Sequence, residues 1–487
     1  MSSREKDTRP ARKRRPIRTA IRAILLCVVA ALLFFIVGGY APFAHPPRLS
    51  TDAAAAIEAR ADEMSRDIDT QDRVEILETR TQALDERIRL INQARRELVI
   101  TTYDCRDGES TRDVLCAALA RAEEGVRVRM LVDGIAGRLY LAGNNVFRAM
   151  EAHENVEIRL YNPPSLTQPW RNMGRMHDKY VIADDTAYIL GGRNMFDHFI
   201  GEYPSSSYSR DREALVYTGG AADSSLHQVL DYFEGMWAHE RTAPFPGKPM
   251  GAEEAEAVYT ELRSRREALM KAKPELFESA DYPAMTLPTR GIWLISNPTN
   301  TDAKEPAAFN ALCALMEHAR SEITIHSPYC VLNDMMQKRL TAIAERVPVT
   351  LMVNAVENGA NVVASGDYLY HKAQVLSTGM HVLEYAGGDS YHGKALSIDD
   401  NISVIGSYNL DLRSTFVDTE LMLVIRGQEV NALLRGHMDA LHADCRRVID
   451  EQHGEVPEGL VIPAPPLWKA AAMRVVGAVM QLVRNLV

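Results

Sequence analysis

Apolar residues along the chain fall into three kinds of run. From Ala23 to Ala41 the chain passes 19 residues without a charge, enough at 1.5 Å per residue to cross a hydrocarbon layer about 30 Å thick. Short apolar runs, Leu98-Val-Ile-Thr-Thr and Val126 to Val132, flank a helical pattern from about Ser110 to Glu124. This strand–helix–strand order predicts an α/β domain. A charged stretch from roughly Ala54 to Arg96 predicts a helical segment between the first run and these strands. The third kind closes the chain. At 100° per residue, Trp468, Ala472, Val475, Val476, Val479, Leu482, Val483 and Leu486 share one face, with Ala470, Arg474, Gly477, Gln481, Arg484 and Asn485 opposite. Two readings of this last segment stay open: a helix lying in a membrane interface, or one docked on the protein's own core.

The α/β pattern occurs twice. Ala94-Arg-Arg-Glu-Leu-Val-Ile-Thr-Thr-Tyr-Asp-Cys105 aligns without gaps on Ala319-Arg-Ser-Glu-Ile-Thr-Ile-His-Ser-Pro-Tyr-Cys330, and Val126 to Asp133 aligns on Val347 to Asn354. The period is far longer than a solenoid repeat, so the chain is an internal duplication. The predicted organisation is a basic segment (1–22), an anchor (23–41), a first half (54–243), a linker (244–290), a second half (291–450) and an amphipathic C-terminal helix (466–487). The fold class is α/β, with two duplicated domains packed about a pseudo-twofold axis behind an N-terminal transmembrane helix.

Charge sharpens this picture. The formal net charge is −10, yet residues 1–22 carry nine Lys/Arg against Glu5 and Asp7, leaving −17 on the remainder. An acidic body disfavours nucleic acid as a partner, because displacing counterions needs a positive surface. The basic cluster before the apolar run keeps residues 1–22 in the cytoplasm and the body on the far side of the membrane. A cleaved signal peptide is the rival reading, disfavoured by the length of the run and the poor cleavage site at Ala41-Pro-Phe-Ala44. Outside the anchor five cysteines remain, an odd number with no CxxC spacing, so neither a disulfide framework nor a zinc site is indicated. Cys105 and Cys330 hold equivalent positions after paired strands and are expected near each other.

The chemistry lies in a motif present in both halves. His177-Asp-Lys179-Tyr-Val-Ile-Ala-Asp184 is followed by Gly191-Gly192-Arg-Asn194, and His392-Gly-Lys394-Ala-Leu-Ser-Ile-Asp399 by Gly406-Ser407-Tyr-Asn409. Residues two apart project from one face of an extended strand, so each His stands beside its Lys. If the halves meet about a twofold axis, two His, two Lys and two Asn converge, a set of donors suited to a phosphoryl group. One imidazole can attack phosphorus and form a phosphohistidine, while the other gives and takes the proton. The lysines, with Asn194 and Asn409, stabilise charge on the phosphoryl oxygens. This division of labour calls for no metal or other cofactor. Glu213 and Glu420, each seven residues before a glycine, are the expected partners that fix the histidine tautomers. Asp184 and Asp399 belong to the catalytic motif, but their place at a turn favours a structural, hydrogen-bonding role.

The duplicated motif resembles that of the HKD phospholipase D superfamily over roughly residues 80–445. Gly406-Ser-Tyr-Asn-Leu-Asp-Leu-Arg-Ser414 with Glu420 is similar to the second motif of bacterial cardiolipin synthases, and Arg175-Met-His-Asp-Lys179 with Gly191-Gly-Arg-Asn194 to the first motif of their C type. The resemblance implies phosphatidyl transfer between phospholipids at the bacterial inner membrane, with phosphatidylglycerol, or phosphatidylethanolamine as a second lipid, for substrate. It implies His177 as nucleophile and His392 as general acid and base. A hydrolytic phospholipase D releasing phosphatidic acid is the alternative; a nuclease and an inactive membrane scaffold are the weaker ones. The single N-terminal anchor departs from the family pattern, so the resemblance implies nothing about topology.

Overall fold

The computed structural model describes residues 15–487 except Ala360 and Pro465; most of the basic segment predicted at 1–22 lies outside the described residues. A helix runs over Arg15–Tyr40, and its stretch Thr19–Phe43, with the short turn that follows, is long and apolar enough to cross a membrane.

The first half contributes β1 (Arg73–Leu77), β2 (Glu97–Thr102), β3 (Arg127–Asp133), β4 (Val156–Tyr161), β5 (Tyr180–Ala183), β6 (Ala187–Gly191), β7 (Ser209–Arg210), β8 (Glu213–Tyr217), β9 (Thr242–Pro244) and β10 (Leu287–Pro288). The second contributes β11 (Ile292–Ser296), β12 (Ile323–His326), β13 (Val349–Asn354), β14 (His381–Tyr385), β15 (Ser390–Tyr391), β16 (Ala395–Ile398), β17 (Ile402–Gly406), β18 (Leu421–Arg426), β19 (Cys445–Val448) and β20 (Gly454–Glu455). One sheet has the order β10-β1-β8-β6-β5-β2-β3-β4-β9, the other β11-β18-β17-β16-β12-β13-β14-β19-β20. From β1 to β9 and from β11 to β19 the two orders correspond strand for strand, so the duplication extends to topology. In each sheet the three strands β2-β3-β4 or β12-β13-β14 are parallel, and the remaining neighbours are antiparallel. Burial on both faces explains why the central strands read as continuous apolar runs.

The three largest hydrophobic cores among the described residues follow from this layout. Alternate residues of β5 divide between them: Val181 and Ala183 enter a core confined to the first half, while Tyr180 and Ile182 enter one shared by both halves. The shared core also holds Ile405, Leu423 and Ile425 of the second sheet, with Phe233 and Trp237 from the helix Ser225–Trp237 and Leu434 and Met438 from the helix Gln428–His442. The inner faces of the sheets thus meet where β6 and β8 pack on β17 and β18, beside two helices, one from each half. The third core backs the second sheet.

Four expectations need correction. The stretch expected to be helical over 54–96 is two helices, Thr51–Met64 and Arg80–Gln93, split by β1. Within β1, Val74 and Ile76 alternate into the shared core, and Thr79 with Gln82 forms a reciprocal capping box that begins the second helix. The helix Thr51–Met64 does not belong to the first half. Its Ala61 and Met64 are buried in the second half's core, and Trp293 Nε1 donates to Glu63 Oε1 at 3.1 Å. The linker expected over 244–290 is likewise integrated: its helix Ala252–Ala272 buries Ala255, Tyr259 and Leu262 in the first core. Finally, Cys105 and Cys330 are free thiols buried in separate cores. Each bridges its own half, to Met195 and Leu410 respectively; equivalence under the pseudo-symmetry puts them in like surroundings, not at the axis.

Candidate active site

Each HxK segment runs directly into the strand that begins with the residue after its Lys, β5 at Tyr180 or β16 at Ala395. The aspartate that ends the motif closes a hairpin at the far end of that strand. Asp184 and Asp399 adopt φ of 53° and 51°, a left-handed conformation that Asp tolerates better than most residues. Asp184 accepts from the backbone N–H groups of Arg95, Arg96 and Glu97, at 2.8–2.9 Å. Asp399 accepts in the same way from Arg320, Ser321 and Glu322. Both therefore tie the hairpin to the start of the central strand, β2 or β12, in the structural role the turn position suggested.

The histidines, by contrast, meet. His177 and His392 line one cavity of about 390 Å³ together with Asn194 and Asn409. Sequence reasoning did not find its other walls, which include Tyr103, Tyr329, Asn361, Arg413 and the C-terminal Met480, Leu486 and Val487. Tyr103 stands edge-on to His177 and Phe199 edge-on to His392, each with ring centroids 5.1 Å apart. Lys179 and Lys394 are buried and each donates to the carbonyl of its own histidine; the Lys394 ammonium also lies 3.0 Å from His392 Nε2. A larger cavity, about 600 Å³, lies at the other end of the first sheet beside Asp184 and holds none of these donors.

The histidines are held across the molecule. His177 Nδ1 lies 2.9 Å from Glu420 Oε1, and Ser407 and Ser414 donate to the same carboxyl. His392 Nδ1 lies 2.6 Å from Asp211 Oδ2, and the His392 amide donates to the Arg210 carbonyl where β7 pairs with β15. Each half thus supplies the carboxyl for the other half's imidazole. With Nδ1–H donated, His177 Nε2 is left with its lone pair free, while that of His392 faces the Lys394 ammonium.

Glu213, expected to hold a histidine, does not. Its carboxylate takes both terminal nitrogens of Arg87, at 2.6 and 2.5 Å, with Arg193 nearby. The sheets show why. Gly191 faces Glu213 across the ladder, whereas Gly406 faces Met422, so the structural equivalent of Glu420 is Asp211. Counting back from Gly220 and Gly427 misled because β18 runs to Arg426, next to its glycine, while β8 stops at Tyr217. The missing signal was a two-residue difference in strand end.

The electrostatics of the two pairs differ. Burial, reinforced by Lys179 and Lys394, pushes His177 well below the ordinary imidazole value. Burial also drives the Glu420 carboxyl up to about 8, against the pull of Lys179 and the serine hydroxyls. In the other pair, burial and Lys394 lower His392 to about 3 despite Asp211. Burial opposes ionisation of Asp211 too, but Lys394, His392 and Arg193 outweigh it and hold the carboxyl well below its usual range. His177 is accordingly a neutral imidazole against a carboxyl that retains a proton readily, and His392 faces a firm carboxylate. Desolvation and mutual repulsion lower Lys179 to about 7, and desolvation lowers Lys394 to about 8. A bound anion would reverse both effects. The arrangement is poised for a phosphodiester.

Comparison with known proteins bears on the family and the fold. A family model described as cardiolipin synthase, PLD-like domain, matches residues 88–237 and 312–442. Cardiolipin synthase C of Escherichia coli is 26% identical over 402 residues, covering 74% of this chain and 82% of that protein. A cardiolipin synthase of Halalkalibacterium halodurans is 25% identical over 338 residues, covering 68% and 58%. Among solved structures, phosphatidylserine synthase of Haemophilus influenzae superposes with a TM-score of 0.62 at 15% identity, covering 88% of this chain and all of that one.

Proposed function

Because the chain belongs to the cardiolipin synthase family with phospholipase D-like domains, we propose that it transfers a phosphatidyl group from one phospholipid to another through a phosphohistidine, giving cardiolipin. The observation that carries the reading is the pair of histidines in one cavity, each oriented through Nδ1 by a carboxyl of the opposite half.

In the first step His177 Nε2 attacks the phosphorus of phosphatidylglycerol. The N–P bond forms as the bond to the headgroup glycerol oxygen breaks, and that oxygen takes the proton of His392. The anionic substrate supports this by drawing protons onto Lys179, Lys394 and His392, whose imidazolium Asp211 then balances. In the second step the hydroxyl of another phosphatidylglycerol gives its proton to His392 as its oxygen attacks phosphorus. The N–P bond breaks and His177 returns to its starting state. The unequal carboxyls favour this assignment: Asp211 is the better counterion for an imidazolium, and His177 is the better-kept neutral nucleophile. Phosphatidylethanolamine serves the same chemistry as a second lipid substrate. The same reading places the body outside the cytoplasm at a bacterial inner membrane, anchored by the helix over 19–43.

Purified protein incubated with phosphatidylglycerol vesicles should yield cardiolipin and glycerol; phosphatidic acid as the dominant product at all lipid concentrations would replace the transferase with a hydrolase. A diester whose leaving group needs no proton should label His177 in wild type and in His392→Ala, and should not label His177→Ala. Label on His392 surviving in His177→Ala would exchange the two roles.

A further inference from the structure

The helix Leu467–Met480 is docked with the wrong side inward for a core helix. It lies against the helix Val362–Leu376 so closely that a Cβ on Gly477 would fall 2.7 Å from the Gly366 carbonyl oxygen, and one on Gly366 2.7 Å from that of Met473. Just beyond it, Gln481 and Arg484 bond to the buried Asp367 carboxylate, at 3.1 Å from Gln481 and 2.8 and 3.1 Å from Arg484. Small and polar residues thus make much of the contact, together with the buried Met473. Five large apolar residues face away: Leu467 is 90% exposed, Trp468 73% and Leu482 77%, with Val475 and Val479 also exposed. The docked reading of the sequence holds for one side of the helix, and the other side is an exposed apolar face.

The position of this face is fixed by its neighbour. Asn485 donates through Nδ2 to the carbonyls of Phe43 and Ala44, at 3.1 and 2.9 Å, where the chain leaves the apolar stretch 19–43. The C-terminal segment therefore sits at the level at which that stretch would emerge from a bilayer. Its last residues reach the chemistry: Met480, Leu486 and Val487 line the cavity that holds His177 and His392, and the Arg413 amide donates to the Val487 carbonyl at 2.9 Å.

We infer that residues 467–487 lie in the surface of a lipid bilayer, with Trp468, Val475, Val479 and Leu482 among the acyl chains, and form the membrane-side wall of the catalytic cavity. A phospholipid then reaches the histidines laterally from the bilayer, its headgroup passing Leu486 and Val487 while its acyl chains stay in lipid. The entry route rests on the proposed transfer reaction; the lipid contact does not.

The full chain in vesicles carrying brominated acyl chains tests the contact without turnover. The Trp468 fluorescence, taken as the difference between wild type and Trp468→Phe, should be quenched; an unquenched difference overturns the proposal. The entry route is tested with Val475, Val479 and Leu482 all replaced by Asp in one variant. The ratio of turnover on vesicle lipid to turnover on a monomeric short-chain phosphatidylglycerol should fall about tenfold or more. An unchanged ratio, whether both activities persist or both are lost, overturns it. If wild type yields only phosphatidic acid, the transfer reading fails while this contrast is still read.

Discussion

Asp211 and Glu213 are two residues apart where the chain enters β8, both buried and both acidic, yet they do different work. Asp211 touches His392, whereas Glu213 neutralises Arg87. Asp211→Asn should lower kcat by about 10²- to 10⁴-fold with little change in KM, since the imidazolium loses its counterion and its tautomer is no longer imposed. Glu213→Gln strands a buried guanidinium and should cost about 3–5 kcal/mol of stability, seen as a lower urea midpoint, while the folded fraction keeps its kcat. The lysines give a pH signature. Folded values of about 7 and 8 mean that the empty site loses its ammonium groups as pH rises through that range. The profile of kcat/KM, which reports the free enzyme, should therefore fall on the alkaline side at lower pH than that of kcat, where the bound anion holds the protons on. Coincident alkaline limbs would mean that the lysines do not titrate there. The HxK histidines and lysines could be read from sequence because each motif is local and occurs twice. Asp211 could not: it lies just outside β8, two residues before Glu213, and only the ladder register shows which of the two matches Glu420.

At the scale of the element, the hairpin pinned by Asp184 or Asp399 sets the height at which each histidine enters the cavity. Each carboxylate answers three backbone N–H groups at the start of the central strand from a left-handed turn. Asp184→Ala should cost about 1–3 kcal/mol through the unmet donors, with a further loss from placing Ala at positive φ. Asp184→Asn, which tolerates that conformation, should recover part of it. Urea unfolding of the three proteins gives the order, and kcat per folded molecule should hardly change; a large loss of kcat in a fully folded Asp184→Asn would bring the aspartate into the chemistry. The central strands were legible because apolar residues fill both their faces. β1 was not: Arg73 and Glu75 make its five residues read like the charged helices on either side, and only the inward Val74 and Ile76 betray it.

Over the whole molecule, the two halves are complementary pieces of one site. The duplication was plain from sequence, but the exchange of elements between halves was not, because it depends on long-range packing that leaves no local pattern. The helix Thr51–Met64 backs the second sheet although it precedes the first, and each carboxyl serves the opposite imidazole. A chain divided near residue 285 should give two fragments that are each inert toward the diester label, and co-expression should restore labelling of His177. Labelling of the first fragment alone would show that Glu420 is dispensable. The same reciprocity sets the order of events during synthesis. The apolar stretch 19–43 precedes both halves and is made hundreds of residues before His177 acquires the carboxyl that orients it. The wall formed by Leu486 and Val487 follows both histidines and both carboxyls in the chain and is made after them. A growing polypeptide that has passed His177 but not yet Glu420 therefore lacks the oriented imidazole on which the proposed lipid chemistry depends.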